Sequence, residues 1–166
     1  DKLQHFVKDI SKSYIKNKNI GLKPSTLSMN NLSSSELINI VNTGVYTVTD
    51  KAEGEGKILY VLGLNHYDKK IVNEEFKKLN GRIYMIDNKL NIQFTGLYNK
   101  NDKLNNTILN GEYMKFNKSN EFISKYLAYD LYYSYNKSYH EMPLMSFTQE
   151  ETRLSNLNRI IQNLNT

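Results

Sequence analysis

The segment Leu90-Asn91-Ile92-Gln93-Phe94-Thr95 alternates apolar and polar residues with period two, and this pattern restricts the fold more than any other in the chain. On a strand it places Leu90, Ile92 and Phe94 on one face and Asn91, Gln93 and Thr95 on the other, as a half-buried sheet requires. Just upstream, Arg82-Ile83-Tyr84-Met85-Ile86 is a second strand candidate, and Asp87-Asn88-Lys89 is a polar bend between the two. Two strands joined by so short a bend form a hairpin, so this part of the sheet is expected to be antiparallel. The apolar run Ile58 to Leu62 predicts a further strand. Ile71 to Leu79 predicts a short helical segment that ends at the turn signal Asn80-Gly81.

The flanks read as mixed structure. Over Asp1 to Lys18, Leu3, Val7, Ile10 and Tyr14 recur at helical spacing with Phe6 beside them, which predicts an amphipathic helix whose seam packs on the sheet. Ser33 to Glu36 forms a capping box ahead of a short helix carrying Leu37, Ile38 and Val41, and Val45 to Thr49 reads as a strand. Tyr98 to Asn106 is a polar loop, Thr107-Ile108-Leu109 starts another strand, and Asn110-Gly111 is the strongest two-residue hairpin signal. Beyond it, Ser119 is expected to cap a helix from Asn120 to Tyr135, with Phe122, Ile123, Tyr126, Leu127 and Leu131 on its apolar side. A second capping box, Thr148 to Glu151, is expected to open a helix that buries Leu154, Leu157, Ile160, Ile161 and Leu164. The expected fold class is α+β: an N-terminal amphipathic helix packed on a mainly antiparallel sheet, with two C-terminal helices. The 166 residues form one expected domain, comprising the helix 1–18, a mixed core 33–116 and a helical lobe 119–166.

Lys and Arg number 22 against 17 Asp and Glu, a formal net charge of +5. The basic residues are spread among Asn, Ser and Asp without a block of like charge, which describes a solvated lysine surface, so nucleic acid is not the expected partner. The chain has no cysteine, which excludes disulfides and thiolate metal sites. His5, His66 and His140 share no metal-ligand spacing, so neither a metal nor any other cofactor is expected. Gly54-Glu55-Gly56-Lys57 lacks the earlier glycine and the following hydroxyl of a phosphate loop, and no GxSxG elbow is present. The carboxylate pairs Glu53/Glu55, Glu74/Glu75 and Glu150/Glu151 have no spacing that turns them toward each other. No catalytic residue is expected. The loop from Asn99 to Asn106 offers oxygen atoms without the register of an EF-hand. The tyrosines between Tyr126 and Tyr139 are too many for one helix to bury, and Tyr129, Tyr132, Tyr133 and Tyr135 form a candidate surface for protein or glycan contacts.

Two resemblances follow from these residues. Gln149 and Glu151 resemble the Gln-x-Glu signature of clostridial-type ADP-ribosyltransferases; the family's Ser-Thr-Ser segment is absent, and the nearest approximation is Ser25-Thr26-Leu27-Ser28. The seam of Asp1 to Lys18, together with the strand–helix–hairpin pattern of Lys57 to Gly96, resembles the soluble domain of a type IV pilin or pseudopilin. That resemblance implies a non-enzymatic structural subunit, specifically a minor subunit, assembled into an extracellular filament or secretion pseudopilus. It implies that Leu3, Phe6, Val7, Ile10 and Tyr14 pack the helix on the sheet. Other pilin-like subunits would be the partners, through the N-terminal helix, and the membrane would be reached only through an upstream segment that this chain lacks. The alternative class is an accessory module that binds a polyanion or a protein through a surface rich in Lys and Tyr.

Overall fold

A computed structural model of the chain describes Thr47, residues 52–64 and residues 73–164. Within these residues the chain forms β1 (Glu55–Val61), α1 (Glu74–Lys77), β2 (Arg82–Ile86), β3 (Ile92–Tyr98), a 3-10 turn (Asp102–Leu104), β4 (Ile108–Phe116), β5 (Phe122–Ser134), β6 (Lys137–Ser138) and α2 (Arg153–Leu164). The six strands make one sheet in the order β3-β2-β1-β4-β5-β6, and every neighbouring pair is antiparallel. Two consecutive meanders, β1-β2-β3 and β4-β5-β6, therefore meet along the β1–β4 pair.

Local chemistry explains the turns. Between β2 and β3, Asp87 Oδ1 accepts from the amides of Lys89 at 2.8 Å and Asn91 at 2.9 Å, and Oδ2 accepts from Asn91 Nδ2 at 2.8 Å. This cage puts Leu90 in the left-handed region (φ 66°), so the strand begins at Ile92 and not at Leu90. Between β5 and β6, Tyr135 and Asn136 both have positive φ, 51° and 57°, as a type I′ hairpin turn demands.

The sheet has two apolar faces. On one, Leu109 and Leu131 pack with Leu157 and Ile160 of α2 and with Leu104 and Tyr139, while Leu59, Tyr126, Ala128 and Leu154 border them. On the other, the register aligns Ile58 with Ile86 and Tyr60 with Tyr84, and Tyr84 in turn with Phe94. Leu62, Ile92 and Ile108 extend that cluster, and Leu64, Leu79 and Leu90 join it from the turns at the strand ends. Helix α2 starts at a reciprocal cap: Ser155 N donates to Thr152 Oγ1 at 3.2 Å, and Thr152 N donates to Ser155 Oγ at 2.9 Å. Two further amides of its first turn donate to loop carbonyls, Arg153 N to Pro143 O at 3.0 Å and Leu154 N to Leu144 O at 3.1 Å.

The expected α+β class with two C-terminal helices is overturned. The described chain is mostly a six-stranded antiparallel sheet with one C-terminal helix, besides the single turn of α1 and the 3-10 turn. The segment expected as the helix 120–135 is the long strand β5. Its register with β4 slips at three places, and one slip pairs Gly111 with Ala128 but the adjacent Asn110 with Asp130. Each slip breaks the two-residue alternation, so Leu131 joins Tyr126 and Ala128 on one face although it lies an odd number of positions from them. Ser119 lies in the β4–β5 turn and caps nothing.

Asn110-Gly111 is not a hairpin turn but the middle of β4. Here glycine serves a close approach: a Cβ on Gly111 would meet the Leu127 carbonyl oxygen and, at 2.7 Å, Cζ of Tyr126. The Tyr126 hydroxyl donates to Lys57 O at 2.9 Å, with Leu109 O at 3.2 Å, so the ring is held across the strand where a side chain is missing. The C-terminal helix begins at Arg153, after Thr152, and Glu151 instead faces Arg159 at 3.7 Å. The expected seam of Leu3, Phe6, Val7, Ile10 and Tyr14, the helix after Ser33 and all but Thr47 of the strand Val45 to Thr49 lie outside the described residues.

Candidate interaction surface

The β4–β5 hairpin carries the most concentrated exposure of aromatic side chains at a fixed turn. Phe116 closes β4 and Phe122 opens β5; they are cross-strand partners, and their rings meet edge to face with centroids 5.8 Å apart. Neither is sheltered, with 52% of Phe116 and 69% of Phe122 exposed to solvent. The five residues between them, Asn117 to Glu121, form a turn built on one side chain. Asn117 Oδ1 accepts from the amides of Ser119 and Glu121, both at 2.9 Å, and Asn117 Nδ2 donates to Glu121 Oε2 at 2.6 Å. Asn120 supplies the left-handed residue, φ 61°, which Asn tolerates better than most residues. Two large apolar rings are thus held in water on an ordered turn.

Lysines lie close to the rings along the chain, at 115, 118 and 125. Lys118 and Lys125 are exposed, and neither has a carboxylate partner among the described residues. Lys115 lies 3.3 Å from Glu55, which also meets Lys57 at 3.2 Å. Those two cations, Lys57 foremost, hold the Glu55 carboxyl below its usual range. Glu121 is the one acidic residue in the turn, and its carboxylate is engaged by Asn117.

The tyrosines expected to form a contact surface are distributed along β5 and its turn. Tyr132 is buried, its hydroxyl accepting from Asn110 Nδ2 at 2.7 Å and its ring edge-on to His140. Tyr129 is half-buried, and burial pushes its hydroxyl pKa upward. Tyr133 is half-buried, and Tyr135 is exposed at the β5–β6 turn. With Phe122 expected on a helix, its pairing with Phe116 was missed in the sequence. The usable signal was Asn117-Lys118-Ser119-Asn120, a run of turn-forming residues between two aromatics.

Buried polar groups lie elsewhere. Asp130 faces Arg153 at 3.3 Å inside the molecule, and Asp130 Oδ1 accepts from the amide of Leu131 at 2.8 Å. The asparagine-rich loop after β3 satisfies itself. Asn99 Nδ2 donates to Asn105 Oδ1 at 3.1 Å, Asn105 Nδ2 to Asn80 Oδ1 at 3.2 Å and to Asp102 Oδ1 at 3.1 Å, and Asn80 Oδ1 also accepts from the amide of Leu64 at 3.2 Å. Those oxygens hold the end of β1 to the loop. Among the described residues no group of three or more His, Asp or Glu side chains converges as a metal site would require. Gln149 and Glu151 are exposed, Glu150 likewise, and Glu74 pairs with Lys77 at 2.6 Å. His5 and His66 lie outside the described residues. No helix among the described residues is long and apolar enough to cross a membrane. In comparisons with known proteins, no family model matches the chain and no curated protein is significantly similar to it.

Proposed function

We propose that the protein is a non-enzymatic structural subunit, the soluble domain of a minor type IV pilin or pseudopilin that assembles into an extracellular filament or secretion pseudopilus. The observation that carries this reading is the second apolar face of the sheet. Helix α2 takes one face, with Leu157 and Ile160 against Leu109 and Leu131. The opposite face carries Ile58, Tyr60, Tyr84, Ile86, Ile92 and Phe94; the apolar residues packed with them come from the same sheet and from turns, none from a described helix, and the Arg82 guanidinium lies over the Phe94 ring. A helix with one apolar seam suits such a face, and Leu3, Phe6, Val7, Ile10 and Tyr14 supply a seam of that kind. In this reading the helix is shared between the folded domain and the filament core, so the protein's work is docking.

Two measurements test the reading. The full gene should encode an apolar stretch of about 20 residues ahead of Asp1, enough to cross a bilayer; a folded soluble domain in that place would end the proposal. In the protein itself, substituting Leu3, Val7 and Ile10 together with Ser should expose the sheet face. The expected results are binding of an apolar dye and a lowered unfolding midpoint; an unchanged midpoint would show that the seam does not lie on the sheet.

A further inference from the structure

The β4–β5 hairpin tip has an assignable partner of its own, independent of filament assembly. We infer that this tip inserts into the interfacial region of a bilayer that carries anionic lipids. Three observations converge on it. Phe116 and Phe122, 52% and 69% exposed, are adjacent across the hairpin and form one apolar patch at the end of the two longest strands of the sheet. Holding such a patch in water is unfavourable, and exposed apolar patches on ordered segments mark contact sites. The turn is rigid by construction, since Asn117 fixes both Ser119 and Glu121 through its side chain. The patch therefore does not have to be ordered on contact.

The third observation selects the partner. Lys118 in the turn and Lys125 on β5 lack a carboxylate partner among the described residues, and Lys115 adds a third cation beside Glu55. Against them the turn sets one carboxylate, Glu121, already bonded to Asn117. Apolar rings flanked by lysines match the boundary between acyl chains and anionic headgroups: the rings enter the boundary while the ammonium groups remain among the phosphates. A protein pocket for two phenylalanines would not require these cations. The chain's net charge of +5 adds attraction at longer range.

The experiment uses the full chain and two vesicle compositions, phosphatidylcholine alone and phosphatidylcholine with about one-third phosphatidylglycerol, in a sedimentation assay. Binding is expected to the anionic vesicles and to weaken with salt. Phe116→Ser with Phe122→Ser should lower the partition ratio at least about tenfold, because each ring contributes apolar area to insertion. Both positions are exposed, so these variants fold, and circular dichroism checks that they do. The chain has no tryptophan, so Phe122→Trp provides a single reporter whose emission should shift to the blue on anionic vesicles and be quenched by brominated acyl chains. Absence of binding overturns the inference. So does binding that is indifferent to both serine substitutions, since it would be electrostatic only, and so does a tryptophan that stays in water when vesicles bind.

Discussion

Asp130 of β5 and Arg153 at the start of α2 are an ion pair, Oδ2 to Nη1 at 3.3 Å, with only 8% and 7% of their side chains exposed. The alignment is that of an ion pair and not of a hydrogen bond, and Nε and Nη1 of Arg153 have no hydrogen-bond acceptor among the described residues. The pair locks the helix to the strand. Its net worth is small because two charges have been taken out of water, but removing either partner strands the other.

Arg153→Met alone should therefore destabilise the protein by about 3–5 kcal/mol, and Asp130→Asn alone should also be costly. Combining the two should restore most of the loss. Asn at 130 retains an oxygen for the Leu131 amide, and no buried charge remains. Urea unfolding of the four proteins in a double-mutant cycle measures the coupling. Additive losses would show that the pair does not interact.

The same carboxylate makes stability depend on pH. Burial pushes the Asp130 pKa above its ordinary value, and the Arg153 charge only partly opposes this. The folded state therefore binds the proton more tightly than the unfolded state does. The resulting contribution to stability is complete below the unfolded pKa and is lost as pH rises through the folded one. In Arg153→Met the folded value moves further upward and the window widens toward neutrality. Unfolding midpoints measured from acid to neutral pH should fall more steeply in this variant than in the wild type.

Asp87 has the opposite sign. The side chain of Asn91 first, and then its amide, hold the Asp87 carboxyl below the usual range. Its stabilisation is present above the unfolded pKa and disappears as pH falls through the folded value. The amides of Lys89 and Asn91, which donate to Oδ1, should lose protection from hydrogen exchange together in that acid window. Independent loss at the two amides would contradict a shared acceptor.

Gly111→Ala should cost about 1–3 kcal/mol, the usual range for overpacking. The added methyl meets the Leu127 carbonyl and the Tyr126 ring, and Tyr126 is tied down by its hydroxyl. Adding Tyr126→Leu frees one of those two obstacles, so alanine at 111 should cost less in that background. Chemical denaturation of both pairs decides it.

Asn106 joins β1 to the loop before β4. Its Oδ1 accepts from the Tyr60 hydroxyl and from the amide of Gly63, both at 3.1 Å, and its backbone is left-handed at φ 64°. Asn106→Ala removes an acceptor shared by the Tyr60 hydroxyl and the buried Gly63 amide and puts alanine in a conformation it resists, so a loss of about 2–4 kcal/mol is expected. Asn106→Gly relieves only the backbone part and should recover about 1 kcal/mol of it. Equal losses in the two variants would show that the backbone conformation contributes nothing.

The parts of the fold that were legible in the sequence are those where one local rule acts alone. Arg82 to Ile86 shows its strand in its residue types, and the bend at Asp87 marks its partner. Leu154, Leu157 and Ile160 declare the final helix by spacing, although its cap is Thr152 with Ser155 and not the earlier box. Strand β5 was illegible because its slips against β4 rearrange the alternation, and nothing in the tyrosine-rich segment records where they fall. Asn110-Gly111 misled for a tertiary reason: the glycine answers to the Tyr126 ring, which lies on another strand. The Phe116–Phe122 pair could be recognised only after both residues were seen to flank a turn. Asp130 and Arg153 carry no sequence signal of their meeting, because burial brings them together.

Setting β1 beside β4 has a consequence for the chain while it is incomplete. The β1–β4 ladder holds the two meanders together, and the bond between Tyr60 and Asn106, 46 positions apart, fastens its end. Until both are made, each half ends in a bare strand, Ile58-Leu59-Tyr60-Val61 on one and Ile108-Leu109-Asn110-Gly111 on the other. A truncated or nicked copy would expose a template that fits its missing half and serves nearly as well for the wrong neighbour. The join that completes the molecule thus also quenches its tendency to aggregate.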